Sequence, residues 1–159
     1  MRLARGSIEH GLAHDEPLPV RQDALAAALA EPAATFTTLR LEGRLRGCCG
    51  TLEARRPLAA DVAHSAFQAA FRDIHFEPVV RDELARIVLD VSVLSPMEPM
   101  RVADEADLLA QLKPGIDGLV IVEGLRRATF LPKVWDSLPE PHEFVGHLKS
   151  KCGLPRDYW

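Results

Sequence analysis

The stretch Thr35-Phe36-Thr37-Thr38-Leu39-Arg40-Leu41-Glu42-Gly43-Arg44-Leu45-Arg46-Gly47-Cys48-Cys49-Gly50-Thr51 decides the fold of this chain. Residues 35–41 alternate with period two and are rich in Thr, Phe and Leu, which predicts a strand. Glu42-Gly43 is short enough to turn the chain straight back, so residues 44–51 become the partner strand of a hairpin. Gly47 and Gly50 lie three apart in that second strand and predict a bulge or bend there.

Helical patterns lie on either side. Leu3, Ala4, Ile8, Leu12 and Ala13 form the apolar stripe of a three-turn helix that starts almost at Met1. Residues 14–19 form a polar, Pro-bearing loop, after which Asp23 is expected to cap an Ala-rich helix running to Ala30 and stopped by Glu31-Pro32. Downstream, Pro57 suits a helix N-terminus, and Ala63, Phe67, Ala70, Phe71 and Ile74 predict a long buried stripe ending near His75. Ile87, Leu89, Val91 and Val93 alternate with polar neighbours and predict a half-buried strand, stopped by Ser95-Pro96.

In the last third, Asp104 opens a short helix bearing Leu108, Leu109 and Leu112, closed by Pro114-Gly115. Residues 118–123 and 127–131 read as a second hairpin around Gly124-Leu125-Arg126. Pro132 starts a short helix containing Val134 and Trp135. Pro141 starts another, with Phe144, Val145, Leu148 and Cys152 inward and Gly153 as its stop. Tyr158 and Trp159 are expected to dock the tail. Two hairpins and few βαβ units favour an α+β fold: a largely antiparallel sheet with flanking helices. No linker splits the chain, although prolines 96, 99 and 114 mark a boundary between subdomains.

Composition sets the outer limits. With 159 residues the chain fits one domain, and it buries roughly two-thirds of its unfolded surface without needing a staple. A net charge of −4 and 6% aromatics argue against a general nucleic-acid binder. Three cysteines, an odd number, argue against a disulfide framework. No apolar run approaches the ~18 residues of a membrane span, and the first residues lack the pattern of a signal peptide. No membrane association is expected, and the default compartment is cytoplasmic.

The chemistry concentrates at residues 44–56. Arg44, Arg46, Arg55 and Arg56 share this segment with one acid, Glu53. Glycines there let backbone N–H groups approach a ligand, and arginines lower a nearby thiol pKa. An anion site holding a nucleophilic or redox thiol is one reading; a bulged hairpin with small core cysteines and solvated arginines is the other. Strand alternation sends Cys48 and Cys49 to opposite faces, while Cys152 belongs to a core stripe. Glu123, Arg127 and Thr129 on the second hairpin are a polar turn or the carboxylate and guanidinium of a cleft. His142 and His147 are five apart, about 140° around a helix, so they do not share a zinc ion, whereas Glu143 and His147 are i,i+4 neighbours. No metal or cofactor is expected.

These residues carry a resemblance. Leu45-Arg46-Gly47-Cys48-Cys49-Gly50 resembles the Leu-Arg-Gly-Cys-Ile-Gly hexapeptide of the AMMECR1 domain family. Further similar blocks are Arg55-Arg56-Pro57-Leu58, Ala69-Ala70-Phe71-Arg72-Asp73, Val91 to Pro99, Pro114 to Leu119, Ala128 to Trp135 and the ending from Leu148 to Trp159. The resemblance implies an α+β domain of two unequal subdomains forming a cleft near the hexapeptide. It also implies partnership with a Memo-like protein and a radical SAM protein, in a system whose activity is unsettled. The chain departs from the family pattern at Cys49, where an aliphatic is usual. It departs again at Ile74-His75-Phe76, where Pro-Arg-Phe is usual, and at Ala128, where glycine is common.

Three functions follow as expectations. The first is an enzyme or enzyme component with Cys48 as the catalytic thiol and Arg46, Gly47, Gly50, Thr51, Arg55, Glu123, Arg127 and Thr129 binding substrate. The second is a non-catalytic module docking a Memo-like or radical SAM partner. The third, least favoured by the charge, is an RNA or nucleotide binder using Arg44 to Arg56.

Overall fold

A computed structural model describes residues 1–21, 23 and 25–159. The chain is α+β and divides into two compact units, Met1–Glu98 and Pro99–Trp159, with the break inside the proline-marked stretch.

The first unit is built on β1 (Ala34–Leu41), β2 (Arg44–Gly50) and β3 (Ile87–Leu94), in the antiparallel order β2-β1-β3. Glu42 and Gly43 both take positive φ, 53° and 79°, the geometry that matches a two-residue turn to the strand twist. Leu39 faces Gly47 while Arg40 faces Leu45, so Arg46 is the extra residue of a bulge. The irregularity expected from the glycines therefore falls on the arginine just before them.

Helix α1 (Arg2–His14) packs on helix α3 (Leu58–Phe71), which in turn packs on β1 and β2 of this sheet. Ile8, Leu39, Ala66, Phe67 and Ile87 meet in its core. The glycines of the hexapeptide serve this packing. A methyl group at Gly47 would strike the Ala69 carbonyl of α3, and one at Gly50 would strike the Thr35 carbonyl and the Phe36 ring. The close backbone approach that glycine permits here is to the protein's own chain.

Two expected helices are shorter than their patterns. Helix α2 covers only Ala27–Ala30, preceded by Ala26 in extended conformation. Asp23 does not cap it but pairs with Arg21; the expected helix also ran through 24, which lies outside the described residues. Helix α3 ends at Phe71 rather than near His75. Ile74 is thus 92% exposed instead of extending the stripe. The chain returns through Val79, whose N–H reaches the Ala70 carbonyl and whose side chain is buried, into the one-turn helix α4 (Arg81–Leu84).

The second unit holds α5 (Glu105–Gln111), a β4 (Leu119–Glu123) and β5 (Arg126–Phe130) hairpin, a 3-10 turn over Pro132–Asp136, and α6 (Pro141–Lys151). Asp104 caps α5 by accepting the Asp107 N–H. Trp135 stacks on Phe144 at 3.7 Å and donates its indole N–H to the Asp117 carbonyl at 2.7 Å. Phe144, Val145, Leu148 and Cys152 are buried, as their spacing on α6 predicts. The tail docks in part, with Tyr158 hydrogen-bonded to Glu123. Leu154 is buried, but Tyr158 and Trp159 are 40% and 56% exposed, with Lys149 Nζ 5.8 Å from the Trp159 ring. No helix among the described residues is long and apolar enough to cross a membrane.

Candidate functional site: the Cys48 edge of the sheet

Cys48 is exposed, Cys49 half-buried against the first core and Cys152 buried, so alternation along β2 separates the adjacent thiols as expected. Cys48 stands opposite Thr38 of β1, with its Sγ 3.5 Å from the Thr38 hydroxyl. Burial pushes the Cys49 thiol up, with the backbone of Gly50 opposing, which leaves Cys49 a packing residue.

Strand β2 lies at the sheet edge, so backbone groups directed away from β1 need other partners. The Cys48 N–H donates to Asp73 Oδ2 at 2.8 Å. The anion-seeking backbone expected around the hexapeptide is thus met by a carboxylate of the chain itself. Asp73 Oδ1 accepts the His75 N–H at 3.0 Å and lies 2.9 Å from His75 Nδ1. Burial pushes the Asp73 carboxyl up, but the N–H groups of Cys48 and His75 and the His75 ring outweigh it, and the group sits below the usual range. The Asp73 side chain is 8% exposed and the His75 ring 76%.

Arg46 leaves the bulge to clamp the segment that follows α3. Its Nε and Nη2 meet the two Glu83 oxygens at 2.8 Å each, and its Nη1 and Nη2 reach the carbonyls of Glu77 and Pro78 at 2.8 and 3.3 Å. Glu83 also accepts the Val80 N–H. Arg46 therefore positions the loop carrying Asp73 and His75 instead of presenting an open guanidinium.

Two further arginines of the segment are engaged as well, while Arg44 lies exposed at the start of β2. Arg55 pairs with Glu53, and Arg56 reaches Asp61 at 3.4 Å. Thr51 closes a local turn through Glu53. This pairing removes much of the charge that a nucleic-acid reading needs. In the second unit Glu123 hydrogen-bonds Tyr158, Thr129 donates to the Leu119 carbonyl at 3.1 Å, and Arg127 lies on the exposed end of β5. On α6, Glu143 and His147 meet at 3.5 Å, as i,i+4 spacing predicts.

The structure thus gathers Arg46, Gly47, Cys48 and Gly50 on one strand and adds Asp73, His75 and Glu83. Sequence reasoning assigned those three no role. Asp-x-His after a helix end was the available signal, because an Asp side chain commonly accepts the N–H two residues on.

A family model described as AMMECR1 matches residues 1–159. The chain belongs to the AMMECR1 family. Among its relatives, a protein of Methanothermobacter thermautotrophicus is 36% identical over 99% of this chain and 82% of its own length. A protein of Methanocaldococcus jannaschii is 35% identical over 100% of this chain and 79% of its own. The crystal structure of an uncharacterized protein from Pyrococcus horikoshii superposes with a TM-score of 0.90 at 31% identity, covering 98% of this chain and 79% of that one. These AMMECR1 relatives agree with the α+β architecture; their names specify no reaction.

Proposed function

We propose that this AMMECR1-family chain is an enzyme, or a component of one, whose working group is the Cys48 thiol. The exposure of Cys48 carries this reading: of three thiols, the one at the cysteine position of the family hexapeptide opens to solvent, while its neighbour Cys49 is half-buried and Cys152 buried. Its backbone is held by Asp73 and by the β1 ladder, so the sulfur is presented from a fixed position. Arg46 and Glu83 brace the neighbouring loop. The glycines at 47 and 50 let β2 lie close to α3 and β1. Thr51 and Arg55 flank the strand exit. As the family resemblance implies, the partners proposed for this thiol are a Memo-like and a radical SAM protein.

The test is a complex of the full chain with those two proteins, incubated with a cell metabolite extract and followed by mass spectrometry. Wild type should change specific masses and Cys48→Ser should not. Equal conversion by both proteins, or no complex at micromolar concentration, overturns the proposal. A docking role without catalysis is favoured by one observation. Val122, Leu125, Tyr158 and Trp159 of the second unit leave large apolar surfaces in solvent. Complex formation unaffected by Cys48→Ser, with no mass change in either sample, would support that second reading.

A further inference from the structure

We infer that His75, oriented by Asp73, is the proton acceptor for the Cys48 thiol. The inference rests on Cys48 being the working group and adds the base that a thiol at neutral pH requires. The Asp73 carboxylate lies between the two residues. Its Oδ2 takes the Cys48 N–H and its Oδ1 faces the His75 ring nitrogen Nδ1.

A carboxylate that is ionised only accepts hydrogen bonds, so the ring proton of neutral His75 belongs on Nδ1. The Nε2 lone pair is left as the acceptor, in a ring that is 76% exposed. This is the division of labour in which a carboxylate fixes the tautomer of a histidine base and steadies the imidazolium that forms. The step is a proton transfer through the solvent between two exposed groups. The Cys48 S–H bond breaks, an N–H bond forms at His75 Nε2, and the products are a thiolate on β2 and an imidazolium held by Asp73.

Few other groups compete for this role. From β1 the thiol meets the uncharged Thr38 hydroxyl, with the Asp90 carboxylate of β3 next across the same row and Arg40 two residues further along β1. On its own strand Cys49 is shifted up, and Arg46 is committed to Glu83. From the loop after α3 come Asp73 and His75.

The experiment follows iodoacetamide alkylation of Cys48 in the full chain from about pH 5 to about pH 10, read by peptide mass spectrometry. His75→Asn keeps a donor to Asp73 at the Nδ1 position and removes Nε2. Wild type should react about tenfold faster than His75→Asn at pH 7, and the two rates should converge near pH 10, where the thiol ionises without help. His75→Gln should behave like His75→Asn. Superimposable profiles overturn the inference, as does a rate loss of the same factor at every pH, which would report changed access. The measurement reads thiol chemistry alone, so a null result here leaves the Cys48→Ser turnover test standing, and the reverse.

Discussion

Asp61 on α3 accepts both the backbone N–H and the hydroxyl of Thr35 on β1, at 2.9 and 2.7 Å, from a side chain only 1% exposed. Ser65 extends the contact, with its hydroxyl 3.1 Å from Thr35 and 2.8 Å from Thr37. Helix and strand are joined by a buried polar seam as well as by apolar packing. Asp61→Ala would leave the Thr35 donors buried without an acceptor and should destabilise the first unit by about 3 kcal/mol. Asp61→Asn keeps one acceptor and should cost about half as much. Urea denaturation of the two variants checks the ranking.

Gly47 packs against the Ala69 carbonyl, where there is no room for a side chain. Gly47→Ala should therefore cost about 2–3 kcal/mol, because backbone on both sides must shift. Thermal melting checks it. A negligible change would mean that β2 and α3 separate easily.

The Arg46–Glu83 pair should make the 77–83 segment depend on charge. Both side chains are largely buried, at 15% and 14% exposure. Arg46→Ala should raise hydrogen-exchange rates across 77–83 by at least about tenfold, the loss of a charge-assisted bidentate pair. Arg46→Lys should recover little, because lysine lacks the planar fork.

Acid should loosen the same region. The Arg46 guanidinium holds the Glu83 carboxyl below its ordinary range, and Asp73 is likewise shifted down. A carboxyl that binds its proton less tightly in the folded state stabilises fully above the ordinary carboxylate range near pH 4. That contribution is lost as pH falls through the lowered folded value. Denaturation midpoints should fall below about pH 4 and be flat from there toward neutrality as far as these two groups contribute. Arg46→Ala should remove the Glu83 part of the slope.

Thiol labelling should follow exposure. Cys48 should alkylate first, Cys49 more slowly because burial raises its pKa, and Cys152 only on unfolding. Mass spectrometry of a time course at about pH 8 decides the order. Faster labelling of Cys49 would contradict the facing of β2.

The sequence by itself determined the elements and their pairing. Period-two runs in β1 and β3, the Glu42-Gly43 turn and the stripes of α1, α3 and α6 are local signals, because they follow from which side of a repeating backbone each residue occupies. The opposite facing of Cys48 and Cys49 is of the same kind. The hexapeptide and its companion blocks carried the family. Only the tertiary structure decided what Arg46, Asp73, His75 and Glu83 do. Their partners lie 25 or more residues apart or beyond an irregular helix end, where no period applies. The apolar stripe suggested that α3 runs on to His75. Instead Asp73 turns its carboxylate to the His75 N–H and to the open edge of β2, and that choice exists only once the sheet has packed on the helix.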